Sequence, residues 1–361
     1  MRLNLDRRRA ALLGASLVVA TVAGLGAQAV LAASSPTPDE VPAEGGRTLG
    51  FAVSWWDEAT SHDCPELIRG PTMRSARPPF PGPVTGPKGE DLCDHPTLVP
   101  DPKIPTMDKA VNVGLNLDGD DGSGKPPPGA CAHQNYVSPA GETGIDNQWG
   151  RIFGCWSSYT NNELYNSLMR GGAWSLLIEV VGVDDLRTDP EVIVRVQSGA
   201  DELILDTGGM PVAGASMQVS NDPKYRWESP GRIVDGVVIT TRNADMRVPS
   251  SHLDKNPFIR DARMRIELAP DGSAKGLVGG YQDVSEQWRK YVGYARNGTS
   301  HNKAGCPAVH YVLTKNADGH RDPKTGRCTT ISSAYEFKAV AAHITHPKGM
   351  QRALSGAERV Q

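Results

Sequence analysis

The sequence lacks the short catalytic signatures by which several enzyme classes are recognised. It contains no His-Glu-x-x-His motif, no Gly-x-Ser-x-Gly turn and no Cys-x-x-Cys-His haem attachment pattern. These absences argue against the common zinc proteases, α/β-hydrolases and c-type cytochromes, because their chemistry depends on those spacings. Short Cys-x-x-Cys or clustered Cys/His spacings are also missing, which excludes a cysteine-based structural zinc site.

Aromatic side chains are scarce, at 6% of residues, whereas the chain holds 39 glycines and 28 prolines. This composition predicts many turns and few long helices. The formal net charge is −3, and no basic tract follows residue 32. Nucleic acid and an anionic membrane surface are therefore not expected as partners, because both are recognised through clustered lysine and arginine.

The first 32 residues have the pattern of a secretory signal peptide. Arginines at 7–9 precede an uncharged run over 10–32, which ends in Val30-Leu31-Ala32. A basic start, an apolar centre and a small-x-small end are typical of a cleaved signal, so we expect export to the periplasm or the extracellular space. The alternatives are an uncleaved membrane anchor, since the run could span a bilayer, and export by the twin-arginine route.

The chain has six cysteines, and in an oxidising compartment we expect three disulfides. The sequence does not decide their connectivity. Pairing between neighbours in the chain is the simplest arrangement, because each such pair encloses a short irregular segment. It would join Cys64 with Cys93, Cys131 with Cys155, and Cys306 with Cys328.

Composition divides the chain into a signal peptide (1–32), a polar leader with a proline-rich, disulfide-closed region (33–110), and a β-rich globular domain (111–361). Prolines are dense between residues 71 and 106. Proline lacks the amide donor that a helix or a central strand needs, so this stretch is expected to be an extended loop. A strand-like run, Leu49–Trp56, precedes it.

The pattern after residue 111 is mostly that of β-strands. Apolar and polar side chains alternate with a period of two over 192–197, 263–268 and 335–339, and the runs 173–183 and 233–241 are more continuously apolar. Helical patterns are fewer and lie within 147–169, 284–292 and 308–315. Short strands joined by turns predict a mainly β fold, an antiparallel β-sandwich or jelly roll with a few short helices.

A glycine-rich acidic loop and a nearby Asp-Asn pair offer the oxygen ligands that calcium prefers. The loop is not an EF-hand, because Ser123 and Gly129 stand where glycine and glutamate are needed. Ordinary turns are the alternative, since Asp, Asn and Gly favour them. The expected calcium ligands are Asn116, Asp118, Asp120, Asp121, Asp146 and Asn147.

A second candidate calcium loop lies between Cys306 and Cys328. Oxygen and nitrogen ligands alternate there, at Asn316, Asp318, His320 and Asp322, but Arg327 stands at the twelfth position of an EF-hand register. A solvent loop closed by a disulfide explains the same composition equally well.

The acid and base candidates for catalysis lie in one short segment. His133 is the best-placed general acid or base, and a structural role for it is the alternative. Glu142 and Asp146 are four residues apart and would meet on a helix, as the paired carboxylates of glycan hydrolases do. Three aromatic residues are candidates for stacking on a sugar ring: Trp55, Trp56 and Tyr136.

Three functions are compatible with these patterns. The favoured one is an exported, non-enzymatic binding or accessory protein that uses calcium, with a glycan or an envelope protein as its partner. The alternatives are a hydrolase that acts on glycans through Glu142, Asp146 and His133, and a structural envelope protein without a ligand.

The two segments that carry these candidates resemble a group of secreted bacterial proteins of unassigned activity. They read Gly114-Leu-Asn-Leu-Asp-Gly119 and Gly144-Ile-Asp-Asn-Gln148, with Ser138-Pro139 between them, and the similarity extends to 231–236, 276–280 and 330–340. The resemblance implies a single exported unit. It implies no reaction, cofactor or catalytic residue.

Overall fold

Most strands of this protein belong to one large, mainly antiparallel sheet with short helices beside it, and two further strands form a small sheet of their own. The structure is a computed structural model, and it describes residues 46–60, 85–104, 106–123, 131, 133–154, 163–250, 257–296 and 305–347. All of these belong to one of two units of the chain, Val41–Gln361.

The strands are β1 (Arg47–Glu58), β2 (Tyr136–Val137), β3 (Thr143–Ile145), β4 (Leu176–Val183), β5 (Thr188–Ser198), β6 (Ala215–Gln218), β7 (Trp227–Val234), β8 (Val237–Thr240), β9 (Ala244–Arg247), β10 (Phe258–Leu268), β11 (Ala274–Asp283), β12 (Gly319–Arg321) and β13 (Cys328–Thr345). The helices are α1 (Gln148–Phe153), α2 (Glu163–Arg170), α3 (Val284–Arg296) and α4 (Cys306–Lys315). Two short 3-10 turns are Pro96–Leu98 and Pro223–Tyr225.

Eight strands close into a barrel in the order β1, β4, β5, β7, β8, β10, β11 and β13. Closure comes from β13, which pairs with β1 in antiparallel register from Phe51 opposite Ala341 to Glu58 opposite Tyr335. The mainly β, antiparallel prediction is confirmed. The expected sandwich or jelly roll is corrected to a barrel. The first and last strands of the sheet pair with each other, so one sheet closes on itself instead of two separate sheets packing face to face.

The interior of the barrel explains the period-two runs of the sequence. Val194, Ile266 and Phe337 lie at the centres of the three alternating segments, and each is almost fully buried. Trp56 of β1 stacks on Tyr335 of β13, with ring centroids 5.2 Å apart. Burial of each large apolar side chain contributes about 1.5–3 kcal/mol, so this core is the main source of stability.

A second apolar cluster joins three helices to the outside of the barrel. Trp149 and Phe153 of α1 pack with Tyr291 of α3, with Val309 of α4 and with Ile331 of β13. The helical patterns expected around 284–292 and 308–315 correspond to α3 and α4. None of the helices among the described residues is both long and apolar enough to span a bilayer.

The strand-like run expected at Leu49–Trp56 corresponds to β1, which is an integral barrel strand although it lies in the region (33–110) set apart from the β-rich domain. It pairs with β4 on one side and with β13 on the other. The globular unit therefore begins well before residue 111.

The sequence left the disulfide connectivity open, and the described disulfides connect distant parts of the chain rather than neighbours, which was the simplest arrangement. Cys93 is bonded to Cys306 and Cys131 to Cys328. Barrel closure brings the two ends of the sequence together, which makes the long-range partners near neighbours in space. Cys64 and Cys155 lie outside the described residues. Two such disulfides are typical of an oxidising compartment.

We expect the purified protein to contain no free thiol, because an even number of cysteines in an oxidising compartment pairs completely. Intact-mass measurement after alkylation, with and without prior reduction, checks this. A mass increase from alkylation of the unreduced protein would contradict it.

Candidate metal centre

A loop and a two-stranded hairpin bring the acidic residues together. The loop spans residues 115–123, and β2 and β3 form the hairpin. Asp146, directly after β3, donates its backbone N–H to the Leu115 carbonyl at 2.9 Å. Gly144 has a left-handed φ of 76°, and a Cβ there would lie 2.5 Å from the backbone oxygen of Asp120. Glycine at this position therefore lets the loop lie directly against β3.

Asp146 is the centre of the site. Its side chain is fully buried. Oδ2 accepts the backbone N–H of Leu117 at 2.7 Å and that of Asp118 at 3.3 Å. Oδ1 lies 2.8 Å from Nε2 of His133. These three contacts fix the carboxylate and direct one oxygen at the imidazole ring.

His133 lies between two groups that can only accept hydrogen bonds. Its Nδ1 is 2.7 Å from the backbone oxygen of Cys131, so Nδ1 must carry a proton. Nε2 then faces the Asp146 carboxyl group at 2.8 Å. Such a contact is held either by a proton shared between the two side chains or by a metal ion that both bind.

The pKa of His133 shows how firmly a proton is held there. Burial by itself lowers the pKa, but the hydrogen bonds to Asp146 and to the Cys131 carbonyl, with the charge of Asp318, outweigh burial. They raise the pKa of His133 from 6.5 to about 9. In the absence of a metal ion the ring is therefore an imidazolium at neutral pH.

Asp118 completes a group of three potential ligands. The ligand atoms of Asp118, His133 and Asp146 all lie within 4.8 Å of one another. Oδ1 of Asp118 accepts the backbone N–H of Asp120 at 2.8 Å, but the buried Oδ2 has no hydrogen-bond partner. Burial and the nearby Asp146 charge raise the pKa of Asp118. No other group of three such ligands occurs among the residues that the structure describes.

Two further groups surround this cluster, and the sequence did not link either of them to it. Asp318 is buried, and its two oxygens accept hydrogen bonds from the backbone N–H and the hydroxyl of Ser332 at 2.7 and 2.6 Å. Burial raises the pKa of Asp318 to about 7. Tyr281 is also buried, and its burial together with the charges of Asp146, Asp318 and Asp118 raises the pKa of its phenol. The phenol therefore stays neutral.

The other expected calcium ligands use their side-chain oxygens within the chain. Asn116, Asp120 and Asp121 accept backbone N–H groups two or three residues ahead, as turn residues do. Asn147 caps α1 by accepting the Gly150 N–H at 2.8 Å. Its amide nitrogen donates to the carbonyls of Ala59 and Val113, each at 2.7 Å. Asn147 therefore joins β1, the acidic segment and α1.

Glu142 is directed away from the cluster. The segment between Glu142 and Asp146 is the strand β3 rather than a helix, so the condition for the two carboxylates to meet is not fulfilled. Glu142 instead forms an ion pair with Arg265 on the outside of the barrel, at 2.6 Å. Of the three aromatic candidates for sugar stacking, Trp56 and Tyr136 are buried in the interior, and Trp55 lines a surface groove.

The residues of the second candidate calcium loop lie in two different places in the structure. Asp318 lies beside the cluster, whereas His320 bonds Asp261 through Nε2 and the Thr330 hydroxyl through Nδ1, each at 2.8 Å. Asp322 accepts the backbone N–H of Lys324. His320 and Asp261 both have left-handed φ angles, 47° and 51°. They form a second His–Asp pair that lacks a neighbouring carboxylate ligand.

Comparisons with protein-family models, with curated proteins and with solved structures each found no match to this chain. Its function must therefore be inferred from its own residues.

Proposed function

We propose that this protein is an exported β-barrel binding protein whose site holds a divalent cation between Asp118, His133 and Asp146. The observation that carries the proposal is the position of His133 between the Cys131 carbonyl and the Asp146 carboxylate. A hydrogen bond from one ring nitrogen to a backbone carbonyl is how proteins orient a metal-binding imidazole. The other ring nitrogen, Nε2, already faces a second ligand.

The distances suit adjacent ligands of one ion. With metal–ligand bonds of about 2.0–2.2 Å, two such atoms lie about 2.9 Å apart at a right angle and about 3.4 Å apart at a tetrahedral angle. The separation of His133 Nε2 and Asp146 Oδ1, 2.8 Å, is close to the first value. The ligand atom of Asp118 lies within 4.8 Å of the other two, so it would need to approach by at most about 1.4–1.9 Å, which rotation of a short side chain supplies.

The imidazole favours a transition-metal ion such as Zn²⁺. Calcium takes six to eight oxygen ligands, whereas zinc binds imidazole and carboxylate together with few ligands. Calcium remains the competing proposal, through the acidic loop. Asp118 belongs to both ligand sets, but His133 belongs only to the zinc set.

The test is calorimetric titration of the chelator-treated, exported form of the protein with Zn²⁺ and, separately, with Ca²⁺. We expect one equivalent of Zn²⁺ to bind, with Ca²⁺ weaker by at least about tenfold. His133→Ala and Asp118→Asn should each weaken Zn²⁺ binding by at least about tenfold, because each removes one ligand.

The matched control is His320→Asn, which removes the second His–Asp pair. Its histidine makes a 2.8 Å bond to a carboxylate, as His133 does, but no further carboxylate of the described residues completes a group of three ligands there. Zn²⁺ binding should be unchanged. Tight Ca²⁺ binding that survives His133→Ala would instead favour the acidic loop as a calcium site, and equal losses in both histidine variants would disprove the proposed ligand set.

The hydrolase alternative receives less support. A glycan hydrolase of the usual kind needs two carboxylates on opposite sides of the bond to be cleaved. Glu142 and Asp146 have different partners, Arg265 and His133, and Asp146 is fully buried. The two do not flank a common space.

A further inference from the structure

We infer that the groove on the outer face of β1, β13, β11 and β10 binds an uncharged oligosaccharide. The groove has a volume of about 310 Å³ and is roofed by the segments Val113–Gly114 and Ser138–Glu142. None of the three proposed metal ligands lines it. It is therefore a site distinct from the metal centre, and the inference does not rest on the proposed function.

Strand register builds the floor of the groove. One row across neighbouring strands consists of Arg265, Leu277 and Glu336. The next row consists of Glu267, Lys275, Lys338 and Trp55. Four strands at about 4.8 Å spacing give the floor a width of about 14 Å, which accommodates a short chain of sugar rings.

The charges of the floor cancel in pairs. Arg265 bonds Glu142 at 2.6 Å, and Lys275 bonds Glu267 at 3.0 Å. Burial raises the pKa of Glu336, and the neighbouring Lys338 and Lys275 oppose this. Arg265 and Lys275 are thus held in ion pairs and Lys338 lies over the Trp55 ring, so an anionic ligand would find only one cation that is not already in an ion pair. The groove fits an uncharged ligand with many hydroxyl groups better.

Two features point to such a ligand. The Trp55 ring borders the groove with the Lys338 ammonium 5.1 Å from its centroid, and an indole offers an apolar face to the C–H face of a sugar. The Lys275 ammonium and the Glu267 carboxylate of the floor are both solvent-exposed, so they can donate and accept hydrogen bonds with the hydroxyl groups of a sugar.

A peptide fits this groove less well. Peptides commonly bind by adding a strand to an exposed sheet edge. The four strands that form this floor are each paired on both sides in the closed barrel. They offer no free strand edge to a peptide, so recognition must come mainly from side chains.

The test is calorimetric titration of the whole exported protein with maltohexaose, cellohexaose, xylohexaose, mannohexaose and N-acetylated chitohexaose. Oligogalacturonate and deacetylated chitosan oligomers serve as charged comparators. We expect one or more of the neutral probes to bind, and Trp55→Ala to weaken that binding by at least about tenfold. Lys275→Ala is a milder change on the floor and should weaken oligosaccharide binding as well. It replaces Trp55→Ala in the test if that variant fails to fold.

The control variant is Tyr225→Ala, which removes a surface aromatic ring that also lies under a lysine, with Lys224 Nζ 4.6 Å from its centroid. Its sugar binding should equal that of the unaltered protein. Addition of EDTA should also leave sugar binding unchanged, which separates this site from the metal centre. Failure of all neutral probes to bind, preference for a charged oligomer or a peptide, or binding insensitive to both floor variants would overturn the inference.

Discussion

Replacing Cys131 and Cys328 together by serine should destabilise the protein by about 5 kcal/mol and weaken its Zn²⁺ binding by at least about tenfold. The disulfide joins residues 197 apart in the sequence. A crosslink over such a long loop restricts the unfolded chain strongly, so its removal is costly. Denaturant unfolding and calorimetric titration measure the two effects.

The loss of metal affinity has a local cause. Cys131 supplies the carbonyl that holds Nδ1 of His133, and its disulfide ties this carbonyl to the first residue of β13. Without the bond, the Cys131 backbone is no longer fixed to the barrel, and His133 loses the group that orients it. Part of the binding free energy of the metal ion is then used to order the His133 imidazole, so the measured affinity falls.

The other described disulfide provides a matched control. Cys93 and Cys306 are 213 residues apart, so the double serine variant should lose about the same 5 kcal/mol of stability. Neither cysteine contacts a proposed ligand, so its Zn²⁺ affinity should not change when measured below the unfolding transition. Equal losses of Zn²⁺ affinity in the two variants would show that general loosening, rather than the Cys131 carbonyl, is responsible.

The strands could be predicted because the alternation of apolar and polar residues that marks each strand is a local sequence pattern. Val194, Ile266 and Phe337 each stand in a period-two run, and each faces the barrel interior. Barrel closure was not predictable from such runs. It depends on the pairing of Phe51 with Ala341, which are far apart in the sequence, and a period of two states only which face is buried.

The candidate site was predictable in part for the same reason. Asp118, His133 and Asp146 lie in one short segment rich in turn residues, so the sequence alone indicates that they are close together. Asp318 stood in a different candidate loop, and only the pairing of β12 with β13 brings it to the cluster. No sequence pattern marks Tyr281 as part of the site, because a tyrosine in an apolar strand looks the same as an ordinary core residue.

The disulfide connectivity could not be predicted from the sequence for a similar reason. The short sequence spacing of neighbouring cysteines favours bonds between them, but sequence spacing indicates distance in space only where the chain makes no long-range contacts. In a barrel whose first strand pairs with its last, Cys131 lies beside Cys328 instead.

In the presence of EDTA, the protein should lose stability as the pH rises from about 7 to about 9. The pKa of His133 is raised from 6.5 to about 9 in the folded protein. A raised pKa means that the folded state binds the proton more tightly than the unfolded chain. The stabilisation is complete below 6.5 and is lost as the pH approaches 9.

The expected loss of stability follows from the shift in the pKa of His133. Each unit of pH within this window removes at most about 1.4 kcal/mol, so the loss between about pH 7 and 9 should be about 2 kcal/mol. Asp318 gives a slope of the same sign at lower pH, because burial raises its pKa from 3.8 to about 7. Thermal melting measured above pH 7 therefore reports mainly on His133.

The replacement Asp146→Asn separates this cause from general alkaline instability. The asparagine amide can donate to Nε2 of His133 while its oxygen still accepts the Leu117 N–H, so the ring needs no proton and its pKa should fall. The decline above pH 7 should then flatten. Zn²⁺ should flatten it in the unaltered protein as well, because the ion replaces the proton between the same two atoms, and binding near neutral pH should release close to one proton. A decline of equal slope in EDTA, in Zn²⁺ and in Asp146→Asn would show that His133 is not the titrating group.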